Sequence, residues 1–476
     1  MPFLINTLGN DIYGLWVIVG SVVASFYILD FGFSQAVTRY VTKYIHLKKY
    51  SEANKIINTS LLIYSILGGV ILIIIIIFSQ YGAEKLIEDS DNISLVQTIL
   101  LISGLALAIE FPAKSLPGII AAYMRYDFIA KIGTAKIIID ALLIYFLLSN
   151  GYGIIAMAVV TFATGITSTL IYTWFTTKIF KDFELKAKHV DPVTAKSIFH
   201  FSKWVFIFDM SAMLHSKIDL WLIAFYLNNS ILTIYYVAVR LTDFCLQFLV
   251  QATGITGPIF TELYAKKEFD KLYDSVSLFI KIDVVLGAIF FSGFFLLGES
   301  FIIFWMGDHF DSGPVQQCLI ALLIGRLAVY ISSPLYSLLL TTNKHKVGSF
   351  ISLAETSSSA ILCWFLIPEY GIVGAAISMS APYLFGRLIA VPYYTCKYVG
   401  VKLNTIMYRS FGFIILSSIC TKILSLTIVS QLDASLLSIL LYAILITTLH
   451  LLMSPLVFTK SERKMIINRI VKKIGK

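Results

Sequence analysis

The chain has 476 residues, with 37 Lys and Arg against 28 Asp and Glu, and a formal net charge of +9. Hydrophobic residues make up 58% and charged residues 14%, against roughly 45–50% and about 25% in soluble domains. Soluble globular and disordered classes are excluded, because no soluble core could hide so much apolar surface. Apolar runs of about 20 residues recur along the whole length, the pattern of an all-α, polytopic membrane protein.

In chain order the apolar runs predict thirteen spans, at 13–36, 56–79, 95–117, 132–150, 153–175, 199–225, 231–254, 280–304, 316–340, 347–367, 371–394, 408–430 and 435–458. The loops between them sort by charge. One alternating set, with the C-terminal tail, holds 27 basic residues; the other holds only Lys85. The positive-inside rule makes the first set cytoplasmic. That leaves the N-terminus as given outside and the C-terminus inside. The net positive charge therefore implies a membrane orientation and no nucleic-acid partner. The tail from Lys460 onward carries seven basic residues and one acid, which fits a helix on an anionic leaflet or a solvated topogenic tail.

Tyr152-Gly153-Ile154 recurs as Tyr370-Gly371-Ile372, 218 residues later, and the loop at Lys49-Tyr50-Ser51-Glu52 lies 219 residues before Glu268-Phe269-Asp270-Lys271. Both pairs occupy the same topological place, so the chain reads as two homologous lobes. Residues 199–395 form a six-helix lobe, residues 1–176 show only five helices, and 177–198 is a cytoplasmic loop between them. A C-terminal helix pair follows at 408–458, then the basic tail at 459–476. By symmetry, a first helix is expected to be missing upstream of residue 13.

No chemistry-bearing motif accompanies this architecture. The five cysteines are scattered with no CxxC, the seven histidines show no HExxH, and there is no P-loop or dinucleotide-binding glycine motif. No enzyme activity, metal or cofactor is expected.

Leu8-Gly9, Tyr13-Gly14-Leu15-Trp16 and Leu29-Asp30-Phe31-Gly32-Phe33-Ser34, followed by Arg39, resemble the second-helix region of Wzx-type bacterial polysaccharide and O-antigen unit flippases. These belong to the multidrug/oligosaccharidyl-lipid/polysaccharide exporter superfamily. Ser216-Lys217-Ile218-Asp219 is similar to that family's seventh helix, and Pro368-Glu369-Tyr370-Gly371 to its turn into helix twelve. The resemblance implies two six-helix lobes plus a final pair in a bacterial inner membrane. It also implies a flippase that carries oligosaccharide units on undecaprenyl diphosphate to the outer leaflet by alternating access, for O-antigen, capsule or exopolysaccharide synthesis. Implied partners are that lipid-linked substrate, membrane lipids, an H+ or Na+ gradient and polysaccharide polymerase machinery. The alternative is a cation-coupled multidrug antiporter of the same superfamily.

Nine basic and eight acidic residues fall within the expected spans, each costing roughly 2.5–3.5 kcal/mol at a bilayer centre unless paired or wet. Glu110 with Lys114, Lys136 with Asp140, and Arg240 with Asp243 have the spacing of local pairs on one helix face. Lys203, Lys281 and Asp283 lie near span ends, where snorkelling is expected. Lys217 and Asp219, two residues apart, cannot face each other, and Arg326 and Arg387 have no partner on their own helices. Arg240, Lys217, Arg326 and Arg387 are the candidate contacts for the substrate diphosphate in a cationic cavity, since guanidinium and ammonium groups suit phosphate oxygens. Asp30, Asp209, Asp219 and Asp243 are the candidate coupling-ion or ion-pair acids. For Asp30, capping at the Gly32 bend is the competing reading.

Overall fold

A computed structural model describes residues 1–31, 33–83, 92–253, 256–342, 345–399, 404–428, 435–459 and 462–463. Among them are sixteen α-helices and no strand. The helices are α1 Pro2–Ser25, α2 Phe33–His46, α3 Tyr50–Tyr81, α4 Ile93–Glu110, α5 Leu116–Ala122, α6 Tyr126–Ser149, α7 Gly153–Ile179 and α8 Pro192–Tyr226. There follow α9 Asn229–Thr253, α10 Thr256–Ala265, α11 Phe269–Met306, α12 Ser312–Thr341, α13 His345–Phe385, α14 Val391–Val399, α15 Asn404–Ile428 and α16 Leu436–Met453.

Eleven stretches among the described residues are long and apolar enough to cross a membrane. One of them, Lys346–Val399, has 54 residues. As one straight helix it would reach about 80 Å, against a hydrocarbon core of about 30 Å. It is interrupted at Gly371, at φ 58° and ψ −140°, a conformation open to glycine and strained for other residues. This stretch thus carries both spans expected at 347–367 and 371–394. The 35-residue α8 covers the span expected at 199–225 and is not among the eleven.

The first span departs from expectation. The apolar stretch runs Pro2–Asp30 instead of 13–36, and the residues from Phe33 belong to α2, with Lys43 and His46 in its last turn. The cause is a corner. α1 tightens into a 3-10 turn at Phe26–Asp30, and Phe31 adopts left-handed φ 49°. The Asp30 carboxylate accepts hydrogen bonds from the Ser34 hydroxyl at 2.8 Å and the Ser34 N–H at 3.4 Å, and a third from the Tyr64 hydroxyl. The apolar pattern runs through this corner without a break, so periodicity alone could not locate it.

The 218–219-residue repeat has local counterparts in the backbone. Lys48 and Lys267, 219 positions apart, both take positive φ, 56° and 59°, just before α3 and α11. A lysine in that region is uncommon. Gly153 and Gly371 take φ 68° and 58° where α7 and the second half of α13 begin.

By packing, the chain divides into a unit spanning Phe3–Thr233 and a second from Ile234 onward. The sequence puts the lobe boundary at 177–198. α8 instead groups with the first unit, where it packs on α2 and α3 and its Trp221 indole donates to the Ser21 hydroxyl at 3.0 Å. The linker ahead of α8 is stapled to α3. The Asn54 side chain donates to the Asp182 carbonyl at 2.7 Å and accepts from Glu184 N–H at 3.0 Å. Asn58 does the same with the Glu184 carbonyl, 2.7 Å, and Lys186 N–H, 2.9 Å. Thr59 accepts from Asp191 N–H at 3.0 Å, and Asp191 then caps α8 through the backbone N–H groups of Val193 and Thr194.

The first unit's core centres on Phe33, Tyr64 and Phe111, whose rings meet edge to face. In the second unit α11 packs against α12, α15 and α16. His450 of α16 is fully buried, with its Nε2 2.7 Å from Ser417 Oγ and 3.1 Å from Ser292 Oγ. Ser292 also meets Thr421 at 2.7 Å. This network satisfies polar groups that lipid would leave unpaired, and so fixes the last two helices to α11.

Candidate functional site

Charges inside a membrane protein must find partners or water, so the site is built from the partner of each charge in turn. In the first unit, Lys136 donates to Asp140 at 3.0 Å and to Thr164 at 3.0 Å, while Thr164 donates to Asp140 at 2.5 Å. This is the expected i,i+4 pair, with a hydroxyl from α7 closing the triangle. Glu110 and Lys114 make no ion pair; Lys114 Nζ instead sits over the rings of Tyr27 and Phe111, 4.2 and 4.6 Å from their centroids. Lys136, Thr164, Thr167 and Ser168 line a cavity of about 430 Å³ between α6 and α7.

The first unit also holds four residues singled out in the sequence. Asp30 is engaged by Ser34 and Tyr64, the arrangement of a helix-corner cap. Asp219 is buried on α8, where it accepts from Leu220 N–H at 2.8 Å. Lys217, two residues earlier, is half-buried and forms no ion pair among the described residues. The Asp209 side chain lies outside the described residues.

The second unit rearranges the expected pairing. Asp243 does not pair with Arg240. It receives Arg326 Nη2 from α12 at 3.4 Å, a cross-helix contact that takes the carboxylate away from its neighbour one turn back. Arg240 lies over the Phe244 ring instead, 5.4 Å from the centroid, with no carboxylate within ion-pair distance among the described residues. Arg326 and Arg387, which have no partner on their own helices, each meet a carboxylate of another helix. Arg387 projects from a π-helical turn at Gly386–Ala390, a distortion that re-aims side chains and is frequent at functional sites. Its Nη2 meets Glu355 Oε2 at 2.8 Å, and its guanidinium faces the rings of Tyr336 and Tyr383 at 4.6 and 5.6 Å. Gly386 makes room for this, because a Cβ there would collide with the Glu355 carboxyl.

Two expectations of snorkelling are corrected. Lys281 is buried and donates to both carboxyl oxygens of Glu462, at 2.7 and 3.0 Å. Asp283 is 0% exposed. Both stand on α11, the helix covered on several sides by others, so their side chains meet protein instead of interface. The Lys203 side chain lies outside the described residues. Sequence reasoning also missed Glu355 as the partner of Arg387, since 32 positions separate them and no periodicity links the two helices.

The four proposed cations therefore fall into two classes. Arg326 and Arg387 are ion-paired within the second unit. Arg240, in the second unit, and Lys217, in the first, retain charge without a carboxylate counterpart among the described residues. Such groups suit an anionic ligand, because Arg offers a fork of N–H donors and Lys a point charge.

The chain is similar in sequence and fold to known proteins. Residues 7–312 match the family described as polysaccharide biosynthesis proteins. A Shigella flexneri protein that carries an O-antigen transporter assignment is 23% identical over 418 residues, covering 83% of this chain and 92% of that protein. Among solved structures, the lipid II flippase MurJ in an inward closed conformation aligns with a TM-score of 0.72 at 17% identity, covering 98% of this chain and 96% of that one. An inward-facing multidrug resistance MATE family transporter of the MOP superfamily aligns with a TM-score of 0.66 at 12% identity, covering 83% and 93%. These likenesses establish the fold.

Proposed function

The chain belongs to the family of polysaccharide biosynthesis proteins and has the MurJ and MATE fold, and we propose that it is the flippase for an oligosaccharide unit carried on a polyprenyl diphosphate. The substrate's lipid tail stays among the acyl chains while its anionic, sugar-bearing head crosses through the protein by alternating access. No covalent bond changes, so no catalytic group is required. The loops rich in Lys and Arg face the cytoplasm, where the lipid-linked unit is loaded. In the second unit the diphosphate contacts are Arg240, with Arg326 and Arg387 when their carboxylate partners yield; in the first unit the anion contact is Lys217.

The observation that carries this reading is Arg240, a half-buried guanidinium on a membrane-spanning helix whose expected partner, Asp243, is taken by Arg326. An unpaired cation in that setting is costly, and an anionic substrate group supplies the missing charge. A cationic drug would meet repulsion there, which disfavours multidrug antiport.

The test is rescue of surface polysaccharide in cells lacking their own flippase. Arg240→Lys should retain part of the activity, because charge survives while the bidentate fork is lost. Arg240→Ala should lose more, and Arg240→Glu most, with membrane levels of protein unchanged and lipid-linked oligosaccharide accumulating in the inner leaflet. Wild-type polysaccharide from cells carrying Arg240→Glu would overturn the assignment.

A further inference from the structure

Of the stretches apolar enough to cross a membrane among the described residues, Tyr126–Ser149 is the least buried. This helix, α6, packs mainly on α7 and α5, and its Ile138, Ile139, Leu142 and Leu143 are exposed. The cavity between α6 and α7 opens along one side, since Ile139, Leu143, Ala163 and Ile171 of its wall are exposed. Polar groups on that wall already have partners. Lys136 is held by Asp140 and Thr164, and the Thr167 hydroxyl donates to the Ala163 carbonyl at 2.8 Å. What faces the space is chiefly hydrocarbon.

The dimensions select the occupant. Along α6 the cavity runs from Lys131 to Leu143, twelve residues on and about 18 Å away. Spread over that length, a volume of about 430 Å³ gives a mean cross-section of about 24 Å² (430/18). That is the girth of one extended hydrocarbon chain. A helix about 10 Å across would fill about 1,400 Å³ over the same length. The groove covers a little more than half of a hydrocarbon core of about 30 Å, so its occupant belongs to one leaflet. A long polyprenyl tail would overrun it.

One end of the groove is basic and aromatic. Phe128 of its wall stacks on Phe175, with centroids 3.5 Å apart, and Trp174 meets Phe175 at 6.4 Å. Arg125 lies over the Phe175 ring at 5.4 Å, and Lys178 over Trp174 at 5.0 Å. Asp127, in the first turn of α6, accepts two hydrogen bonds from Arg125, at 2.8 and 3.1 Å. Lys131 is left 4.0 Å from that carboxylate, with its side chain 77% exposed. Three bases therefore meet one acid, beside an exposed tryptophan of the kind that marks headgroup level. The turn at the opposite end, Asn150-Gly151-Tyr152, has no charge.

We propose that this groove seats one anionic glycerophospholipid from the leaflet at its basic end. One acyl chain lies between α6 and α7, and the phosphate sits among Lys131, Arg125 and Lys178. An unfilled groove would forfeit dispersion contacts along its wall, and water has too few polar partners there to replace them. An anionic headgroup is selected because a zwitterionic one brings its own ammonium against the same bases. The bound lipid braces α6, which has few protein neighbours.

The test uses the full chain with Trp174 as its only tryptophan, the other five changed to Phe. It sits in nanodiscs of phosphatidylcholine and phosphatidylglycerol in which one or the other has brominated acyl chains, which quench indole fluorescence on contact. Quenching should favour phosphatidylglycerol by about fivefold or more, the factor that one base near a lipid surface contributes. Lys131→Gln with Lys178→Gln should bring that preference close to unity, and high salt should reduce it. Ala163→Phe, which puts a ring into the groove, should abolish it with both lysines in place. Should the reporter chain not fold, native mass spectrometry of the wild-type chain with added phosphatidylglycerol decides the matter: one lipid retained, and none in Ala163→Phe. Equal quenching by the two lipids, or no retained lipid, overturns the proposal. So does a preference that survives Ala163→Phe, which would mark a diffuse basic surface, and so does displacement of phosphatidylglycerol by undecaprenyl phosphate, which would give the groove to a polyprenyl tail.

Discussion

Arg387→Ala should destabilise the second unit severely. Glu355 is 4% exposed, and the Arg387 side chain 13%. At 2.8 Å and an effective dielectric constant near 20, the gross attraction is about 6 kcal/mol. Much of it offsets the desolvation of the two ions, and breaking such a pair from one side costs about 3–5 kcal/mol because the remaining charge is stranded. The rings of Tyr336 and Tyr383 against the guanidinium add about 0.5–2 kcal/mol. At about 2–4 °C per kcal/mol for a unit of this size, the unfolding temperature should fall by at least about 6 °C. Intrinsic fluorescence of protein in nanodiscs reads this directly. The paired change Arg387→Met with Glu355→Gln should bring stability back to within about 1–2 kcal/mol of wild type, since no buried charge is left unpaired. Gly386→Ala, which in an ordinary helix would gain about 1 kcal/mol, should destabilise here, because the new methyl group displaces the Glu355 carboxyl. An Arg387→Ala protein that unfolds at the wild-type temperature would refute the account of the pair. If the doubly changed protein is stable yet exports no polysaccharide, Arg387 also serves substrate.

The linker offers separate checks. Asn58→Ala removes two hydrogen bonds that hold the backbone of 184–186 to α3 and should cost about 1–3 kcal/mol, seen as faster tryptic cleavage after Lys186 or Lys188. The Glu184 carboxyl, hydrogen-bonded first by His189 and then by Lys186, is pushed down to about 2 from an ordinary 4.5. Its contribution is thus complete above about pH 4.5 and is lost as the pH falls towards 2. Hydrogen exchange across 182–191 should quicken over that window in wild type relative to Glu184→Gln, and equal pH profiles would refute it. For topology, single cysteines at Asn150 and Lys186 in a cysteine-free background should label from opposite faces of the membrane, with Asn150 external. Labelling of both by an impermeant reagent added outside would overturn the orientation.

Much of this protein is written in short-range pattern. Runs of apolar residues specify spanning helices, because lipid leaves the backbone no other partner, and the expected stretches fall mostly on helix where they are described, the first being broken by the corner at Phe31. The lysines of the loops bear the orientation signal for the same reason of solvation. Gly153 and Gly371 mark hairpins that recur at one separation, and Lys136 with Asp140 forms the pair that helical spacing allows. Pairing between helices was another matter. Asp243 chose Arg326 over Arg240, Glu355 found Arg387, and Asn54 and Asn58 captured a linker more than a hundred residues away. A charge in a membrane protein takes whichever partner the packing brings within about 3 Å, and that depends on how helices cross and rotate, which a one-dimensional period does not encode. Asp283 makes the point most sharply. Its place near a span end favours snorkelling, yet α11 is covered on several sides, and only the tertiary structure turns that residue from an interfacial charge into a buried one.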